Sequence, residues 1–368
     1  MFESTHAAGE WQDAVVECLR ALGSLDGVSG PGFVYATEHH ADHLHQIEAA
    51  LRDGTGIRDW VGSIGMGVVA GPRAFFDEPA LAVMVADMAD SAFAVCPHIA
   101  PEDFAGIAAP GPSSLLSGPA FGLIHADSRA PGTPALIRAL TDQGQGFLVG
   151  GLTASNRADH QIANGVTGGG VSGVVFAPDV AVATSLSQGC SPVAGIHEIT
   201  KCEDNIIVEL DGRPAYEVFV DDVGRELAED LERLAGLIHA AIPVSGSDTG
   251  DYLVRNLIGL DAERGLLAIA ETVEPGDRLM FVRRDPKAAE EDLRNMTAGL
   301  VSRAGGAAKG AVYVSCIARG PNTFDGLNKE MEIVAEALGD VPVIGFYANG
   351  EISNDRLYAY TGVLTLFL

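Results

Sequence analysis

The stretch "PVIGFYANGEIS", residues 342–353, opens as a buried strand and closes in a turn that carries a carboxylate. Val343, Ile344, Phe346 and Tyr347 need cover from water, whereas Asn349, Gly350 and Glu351 need water or a polar partner. The flanking segments set the architecture. "AVYVSCIARG" (311–320) precedes it as a second apolar strand, and "RLYAYTGVLTLFL" (356–368) follows as a third. Between the first two, Leu327, Met331, Val334 and Leu338 recur at the spacing of a helix with one apolar face, and Gly339 stands where a left-handed C-terminal cap is wanted. Two strands joined by one crossover helix are expected to be parallel neighbours. Arg319 and Glu351, each just past its strand, are therefore expected at the same edge of the sheet.

This order of elements recurs. "GFVYATEHH" (32–40) leads to a helix with Leu44, Ile47 and Leu51 inward, then to "DWVGSIGMG" (59–67) and "ALAVMVADM" (80–88). "FGLIHADSR" (121–129) leads to a helix over 134–142, then to "GFLVGGLTASN" (146–156) and one long strand, "GVVFAPDVAVATSLSQ" (173–188). In each unit a short apolar strand reaches glycine: Gly62, Gly150 with Gly151, and Gly345. The expected fold is α/β with two domains, mixed β-sheets flanked by helices, built from repeated strand-helix-strand-strand units with pockets where their turns meet. The glycine-dense "NGVTGGGVSGVVF" (164–176) lacks the GxxxxGK[ST] pattern of a phosphate loop, and its Asn-Gly reads as a hairpin turn.

A junction is expected after "NIIVELDGRPAYEVFVDD" (205–222), a strand, an Asp-Gly turn and a second short element. Val223, Leu227, Leu231, Leu234, Ile238 and Ala241 then mark a helix over 223–242, followed by a loop at 243–251. Strands at 265–273 and 277–284, joined by Glu274-Pro275-Gly276, lead to a charged helix over 286–304. Trp11, Ala14, Val15, Cys18, Leu19 and Leu22 mark an N-terminal amphipathic helix. The expected division is that helix within 1–29, one domain over 30–220 and a second over 221–368.

The 368 residues, 47% hydrophobic, suffice for more than one core. Acidic residues number 50 against 23 basic, a formal charge of -27, and only Lys201, Lys287, Lys309 and Lys329 are lysines. Such a field repels phosphate backbones and anionic lipid, which argues against nucleic acid and membrane surfaces as partners. The N-terminus lacks a basic start and continuous apolar run, so a cytoplasmic protein is expected. Cys18, Cys96, Cys190, Cys202 and Cys316 are scattered, without CxxC or zinc-finger spacing, and read as reduced thiols.

The run "SQGCSPVAGIHEITKCEDNIIVELDGRPAYEVF" (187–219) resembles the end of the FIST N-terminal domain through Gly189, Cys190, Pro192, Thr200, Leu210, Asp211, Gly212, Pro214 and Ala215. The C-terminal region resembles the FIST C-terminal domain through Ser315, Cys316, Arg319, Gly320, Gly345, Phe346, Gly350 and Glu351. The likeness spans roughly 30–368, with Gly62-Ser63 standing where the family often shows Gly-Cys-Ser. The resemblance implies a sensory, signal-transduction role with a small bound ligand, for which amino acids are proposed. Some members bind haem and respond to nitric oxide. No kinase, cyclase or receiver segment is present, so any output would pass through a separate signalling protein.

The candidate ligand-binding residues are Cys190, Cys316, Arg319, Asn349, Gly350 and Glu351. An arginine at a strand end can hold a carboxylate bidentately, and a nearby glutamate can receive an amine, which suits an amino-acid-like metabolite. The competing reading pairs Arg319 with Glu351 across the loops. Cys190 is either a pocket-wall thiol or a small buried hydrophobe. On the ligand reading, Arg319→Ala weakens binding more than folding. His39, His40, His43 and His45 lack an HExxH-type signature and read as a solvated helix start, with no metal assigned. His125 and His197, each after apolar residues, are the candidates for the alternative of a haem-binding gas sensor. No GxSxG elbow or cysteine-nucleophile signature is present, which leaves an enzyme of unrecognised type as a further alternative and the reading leaning away from catalysis.

Overall fold

Each of the three glycine-bearing strands lies parallel to the strand one helix before it. A computed structural model describes residues 1–100, 120–144, 146–234, 236–244 and 250–368. The first module comprises β1 (Phe2–Ala8), α1 (Trp11–Leu22), β2 (Pro31–Thr37), α2 (Leu44–Thr55), β3 (Asp59–Gly65), a hairpin of β4 (Gly67–Ala70) and β5 (Arg73–Phe76), and a return strand β6 (Ala80–Ala86). The second comprises β7 (Phe93–Ile99), β8 (Phe121–Ala126), α3 (Thr133–Gly144), β9 (Phe147–Leu152), the hairpin β10 (Gln161–Ala163) and β11 (Val166–Thr167), and β12 (Val171–Phe176). The third opens with β13 (Val182–Gln188) and is then interrupted. The interruption holds β14 (Cys190–Pro192), β15 (His197–Glu203), β16 (Ile206–Leu210), β17 (Arg213–Pro214), α4 (Ala215–Val223), α5 (Arg225–Glu229), α6 (Leu231–Leu234), β18 (Ile238–Pro243), β19 (Tyr252–Asp261), β20 (Leu266–Ile269) and β21 (Arg278–Arg284). The third module resumes with α7 (Pro286–Ala304), β22 (Gly310–Cys316), α8 (Lys329–Leu338), β23 (Val343–Ala348), the hairpin β24 (Glu351–Ser353) and β25 (Arg356–Tyr358), and β26 (Thr361–Phe367).

The modules exchange hairpins in a cycle. The three sheets run β1-β6-β2-β3-β10-β11, β7-β12-β8-β9-β24-β25 and β13-β26-β22-β23-β4-β5. Each holds the edge, return, first and second strands of one module, extended by another module's hairpin. All three sheets are mixed, because the crossover pairs are parallel and the return strands and hairpins antiparallel. The repeat expected from the sequence is therefore real at the level of register. Gly62 faces Val34, Gly150 faces Ile124 and Gly345 faces Tyr313. A Cβ at these glycines would lie 1.8, 1.8 and 1.6 Å from the carbonyl oxygen of that partner. The strands approach too closely for any side chain. Gly345→Ala is expected to cost about 3 kcal/mol or more, at the upper end for single substitutions. A denaturation midpoint equal to that of the wild type would contradict this.

Side chains facing inward from all three modules make one core, including Phe33, Val61, Leu123, Val149, Val312, Ile344 and Phe346. At its centre the Tyr35 ring stacks on Phe346 with centroids 4.9 Å apart, and its hydroxyl lies 3.2 Å from His125 Nε2. α1 and α2 cover the outer face of the first sheet through Val15, Cys18, Ile47 and Leu51 against Trp60 and Val83. The amphipathic stripe read in the sequence is thus the buried face of α1, but the helix spans only Trp11–Leu22 of the 1–29 given to it, and Phe2–Ala8 before it form the edge strand β1.

The chain divides into two compact units: Met1–Gln188 with Glu290–Leu368, and Gly189–Ala289. In the second unit β21 pairs with both β15 and β18, so β21-β15-β16-β20-β19-β18 closes on itself as an antiparallel barrel. Ile199, Ile207, Leu267, Ile269, Leu279 and Phe281 fill it, and Ala215, Val218 and Phe219 of α4 add to the same core. Asp211 and Gly212 both take positive φ, 52° and 76°, the requirement of the tight hairpin turn read at Asp-Gly. Residues 223–242 do not form the single helix expected. Gly224 (φ 85°) and Gly236 (φ 78°) break it, and the segment from Ile238, with Ile238 and Ile242 inward, becomes β18. Likewise 173–188 divides into β12 and β13, and 356–368 into β25 and β26 around Tyr360. Of the loop expected at 243–251, residues 245–249 lie outside the described residues. Among the described residues no helix is long and apolar enough to cross a membrane.

Candidate functional site

The edge formed by the C-terminal ends of β22 and β23 carries most of the expected residues. These two strands are parallel, with Ser315 opposite Tyr347 and Cys316 opposite Ala348. Beyond β22 the chain turns through Arg319, which is 1% exposed. Its Nε lies 2.7 Å from Glu330 Oε1, its Nη1 3.4 Å from the Ser187 carbonyl oxygen and 3.5 Å from that of Tyr360, and its Nη2 3.3 Å from Ser187 Oγ. The Phe324 ring closes the remaining face, with its centroid 5.1 Å from the guanidinium carbon. Burial opposes the charge on Arg319, but Tyr313 and Glu330 more than offset that effect and raise its pKa.

Glu330 was not singled out in the sequence, yet it organises the cluster. It stands in the first turn of α8, where a carboxylate is favoured by the helix dipole. Its Oε1 accepts from Tyr313 (2.8 Å), Ser315 (2.9 Å) and Arg319, and its Oε2 accepts from the Gly320 N–H (3.0 Å) and Tyr347 (3.2 Å). Both tyrosines have pKa values raised by burial and then by Glu330. A signal did exist: Glu330 falls four residues before Val334 and beside Met331, on the stripe that packs inward. Arg319 therefore pairs with Glu330, and the pairing with Glu351 weighed as the competing reading is not the one made. The guanidinium's contacts leave it no fork aimed at a ligand carboxylate. Arg319 is thus sealed inside the fold, so Arg319→Ala is expected to weaken folding as well.

Glu351 is the first residue of β24 and lies opposite Gly151 and Tyr358. It is fully buried. Its Oε2 accepts from the Thr361 hydroxyl at 2.7 Å and the Thr361 N–H at 3.2 Å, while its Oε1 has no hydrogen-bond partner in the structure. Burial pushes its pKa up to about 8, against the opposing influence of Thr361, Arg319 and the Cys316 thiol. Beside it Tyr360 holds φ at 64°, a conformation that L side chains avoid. By register Tyr360 corresponds to Gly169 of the second module, where φ is 89° at no steric cost. By the same register Glu351 corresponds to Gln161, which is also buried but has both amide atoms bonded, to Gly170 (3.0 Å) and Ser172 (2.7 Å). The third module alone thus places an ionisable group and a strained aromatic where a sibling has a satisfied amide and a glycine.

The other expected residues divide. Cys316 is buried next to Glu351, and burial pushes its thiol pKa up. It ends the first strand of its module, the place that Thr37 takes at the end of β2 and Asp127 just past β8, and those two bind the loop before the return strand, Thr37 through Glu78 and Ala80 and Asp127 through Gly169. Asn349 is exposed, and its N–H donates to Leu152 at 3.1 Å. Gly350 (φ 144°) accepts from the Leu152 N–H at 2.9 Å, so Asn349 and Gly350 anchor the hairpin to β9 through their backbones. Cys190 is buried in the barrel unit, where the Tyr252 hydroxyl donates to its carbonyl oxygen. It is therefore placed in a different compact unit from Cys316, Arg319 and Glu351.

The histidines are placed as follows. His125 is fully buried in the central core, and burial lowers its pKa to about 3. His197 has both ring nitrogens against carboxylates, so neither is presented to an iron. His45 is exposed, as a solvated helix start requires, but His40 is buried and its pKa is lowered to about 4 by burial, then by His39 and His43. His43 stacks on Trp11 with centroids 5.7 Å apart.

Residues 31–213 match the FIST N domain and residues 215–354 the FIST C domain. The uncharacterized protein Mb0898c of Mycobacterium bovis is 28% identical over 396 residues, which cover 99% of this chain and 95% of that protein. The uncharacterized protein MT0656 of Mycobacterium tuberculosis is 27% identical over 367 residues, which cover 93% of this chain and 92% of its own. With both domain matches in order and together spanning most of its length, the chain belongs to the FIST family, whose domains are associated with sensory roles in signal transduction.

Proposed function

We propose that the chain is a sensor whose small polar ligand is received at Glu351, with Cys316, Arg319 and Tyr360 forming the surroundings of the carboxylate. The observation that carries this reading is the unpartnered Oε1 of a fully buried carboxylate. A buried acceptor left without a donor costs about 1–3 kcal/mol. A ligand group that bonded Oε1, accepting from the carboxyl where it holds its proton or donating to it where it is ionised, would recover that cost, which would favour the bound state. The strain at Tyr360 supports the same reading, since backbone strain concentrates at ligand clamps and switch segments. Arg319 acts here as a fixed positive charge beside Glu351 rather than as a direct ligand.

A thermal-shift screen of amino acids, amines and nucleotides on the full chain, repeated on Glu351→Gln, tests this. A ligand selective for the native state raises apparent stability by mass action, about 2.7 kcal/mol at a concentration of 100 Kd. Hits should shift the wild type and lose most of that shift in the variant, whose fold is expected to survive because Gln161 occupies the corresponding position. An equal shift in both proteins would place the ligand elsewhere.

A further inference from the structure

His197 stands at the start of β15 with Nδ1 2.6 Å from Asp211 Oδ2 and Nε2 2.8 Å from Asp222 Oδ2. Asp211 belongs to the turn between β16 and β17, and Asp222 to the last turn of α4, so one ring ties the barrel wall to the helix that packs on its core. A neutral imidazole carries one N–H and a protonated one carries two. Only the protonated ring can donate to both carboxylates. A neutral ring must turn a lone pair towards one of them.

We propose that His197 is a pH-operated clasp: protonated, it holds the end of α4 to the barrel, and neutral, it lets that end open. The position gives the device its meaning. α4 begins at Ala215, where the FIST N match ends and the FIST C match begins, so the clasp lies at the seam of the two family domains. From β21, Leu279 is the register partner of His197, Arg278 pairs with Glu198, and the Phe281 ring centroid lies 6.4 Å away. From α4, Asp221 is drawn off by Arg213 at 2.8 Å. From the turn, the second Asp211 oxygen accepts the Glu198 N–H at 2.8 Å. α4 is also held by the apolar packing of Ala215, Val218 and Phe219 and by the Tyr216 N–H on the Gly265 carbonyl oxygen at 3.1 Å, which do not titrate in this range, and by Asp221 on the exposed Arg213.

The sign follows from the charges. Burial opposes protonation, but the hydrogen bonds to Asp211 and Asp222 outweigh it and raise the His197 pKa. A raised histidine contributes fully below its unfolded value and loses that contribution as pH climbs through the folded one. Hydrogen exchange of the full chain between pH 5.5 and 9, corrected for the intrinsic rate, should therefore show protection of 215–223 falling as pH rises. The fall should be roughly tenfold for each unit by which the His197 pKa is raised. His197→Gln should abolish this pH dependence and leave the protection of β20 and β21 unaltered. A pH-independent profile in the wild type, or the wild-type profile in the variant, overturns the proposal. Should that variant fail to fold, Asp222→Asn combined with an NMR titration of the His197 ring decides it. The titration should move to lower pH, and an unmoved titration also overturns the proposal.

Discussion

Glu351→Gln is expected to stabilise the protein, and to do so more strongly the higher the pH. The native state holds this carboxyl at a pKa of about 8, against an ordinary value of 4.5, because burial strips water from the charge. Between those two values the unfolded chain has released a proton that the folded chain retains. The favourable contribution is therefore whole below 4.5 and is lost as pH rises through 8, where the native state must charge a sealed site. The full difference is on the order of 4–5 kcal/mol. Glutamine keeps the shape, can still accept from Thr361, and has a precedent at Gln161, so it removes the charging cost without opening a cavity. Urea denaturation at pH 5, 7 and 9 should show a stability difference between variant and wild type that grows across the series. A constant difference would mean that folding leaves the Glu351 pKa where it stands in the unfolded chain. A loss of stability at all three values would mean that its ionised form is part of the structure.

The second large effect concerns the buried pair. Glu330→Ala is expected to destabilise the protein by about 3–5 kcal/mol, the range for removing one partner of a buried ion pair. It leaves Arg319 charged and enclosed, and it strips acceptors from Tyr313, Ser315, Tyr347 and the Gly320 N–H at once. Arg319→Ala should cost less, because the carboxylate of Glu330 keeps those four donors, while a cavity remains and Ser187 and Tyr360 lose the guanidinium's bonds. Arg319→Lys should not rescue, since a point charge cannot reach Glu330, Ser187 and Tyr360 together as the planar fork does. A double-mutant cycle should return a coupling well above the roughly 0–1 kcal/mol of surface pairs. Additive single effects would show that the pair is incidental to the fold.

These two carboxylates explain why sequence reading went as far as it did. Arg319 and Glu351 could be placed at one edge because strand, helix and strand are local patterns, and a crossover between neighbouring strands leaves few topologies. The partner of Arg319 could not be read, because Glu330 comes from a helix whose rotation about its axis is set by packing and not by periodicity alone. The barrel was illegible for a similar reason. Residues 223–242 carry apolar side chains at helical spacing, but closing β18 onto both β19 and β21 gives the run from Ile238 a better burial than a helix would.

What the chain's local chemistry dictated was the set of repeated strand-helix-strand units, the Asp-Gly and Asn-Gly turns, and the glycines where two backbones meet. Each follows from side-chain size, φ preference or period within a short window. Tertiary structure alone decided that the modules would trade hairpins, so that Glu351 of the third module rests on β9 of the second. It decided too that one carboxylate there would be saturated with donors and its neighbour left with a bare oxygen. Burial and hydrogen-bond partners are properties of residues brought together from distant parts of the chain, and no short window of sequence contains them.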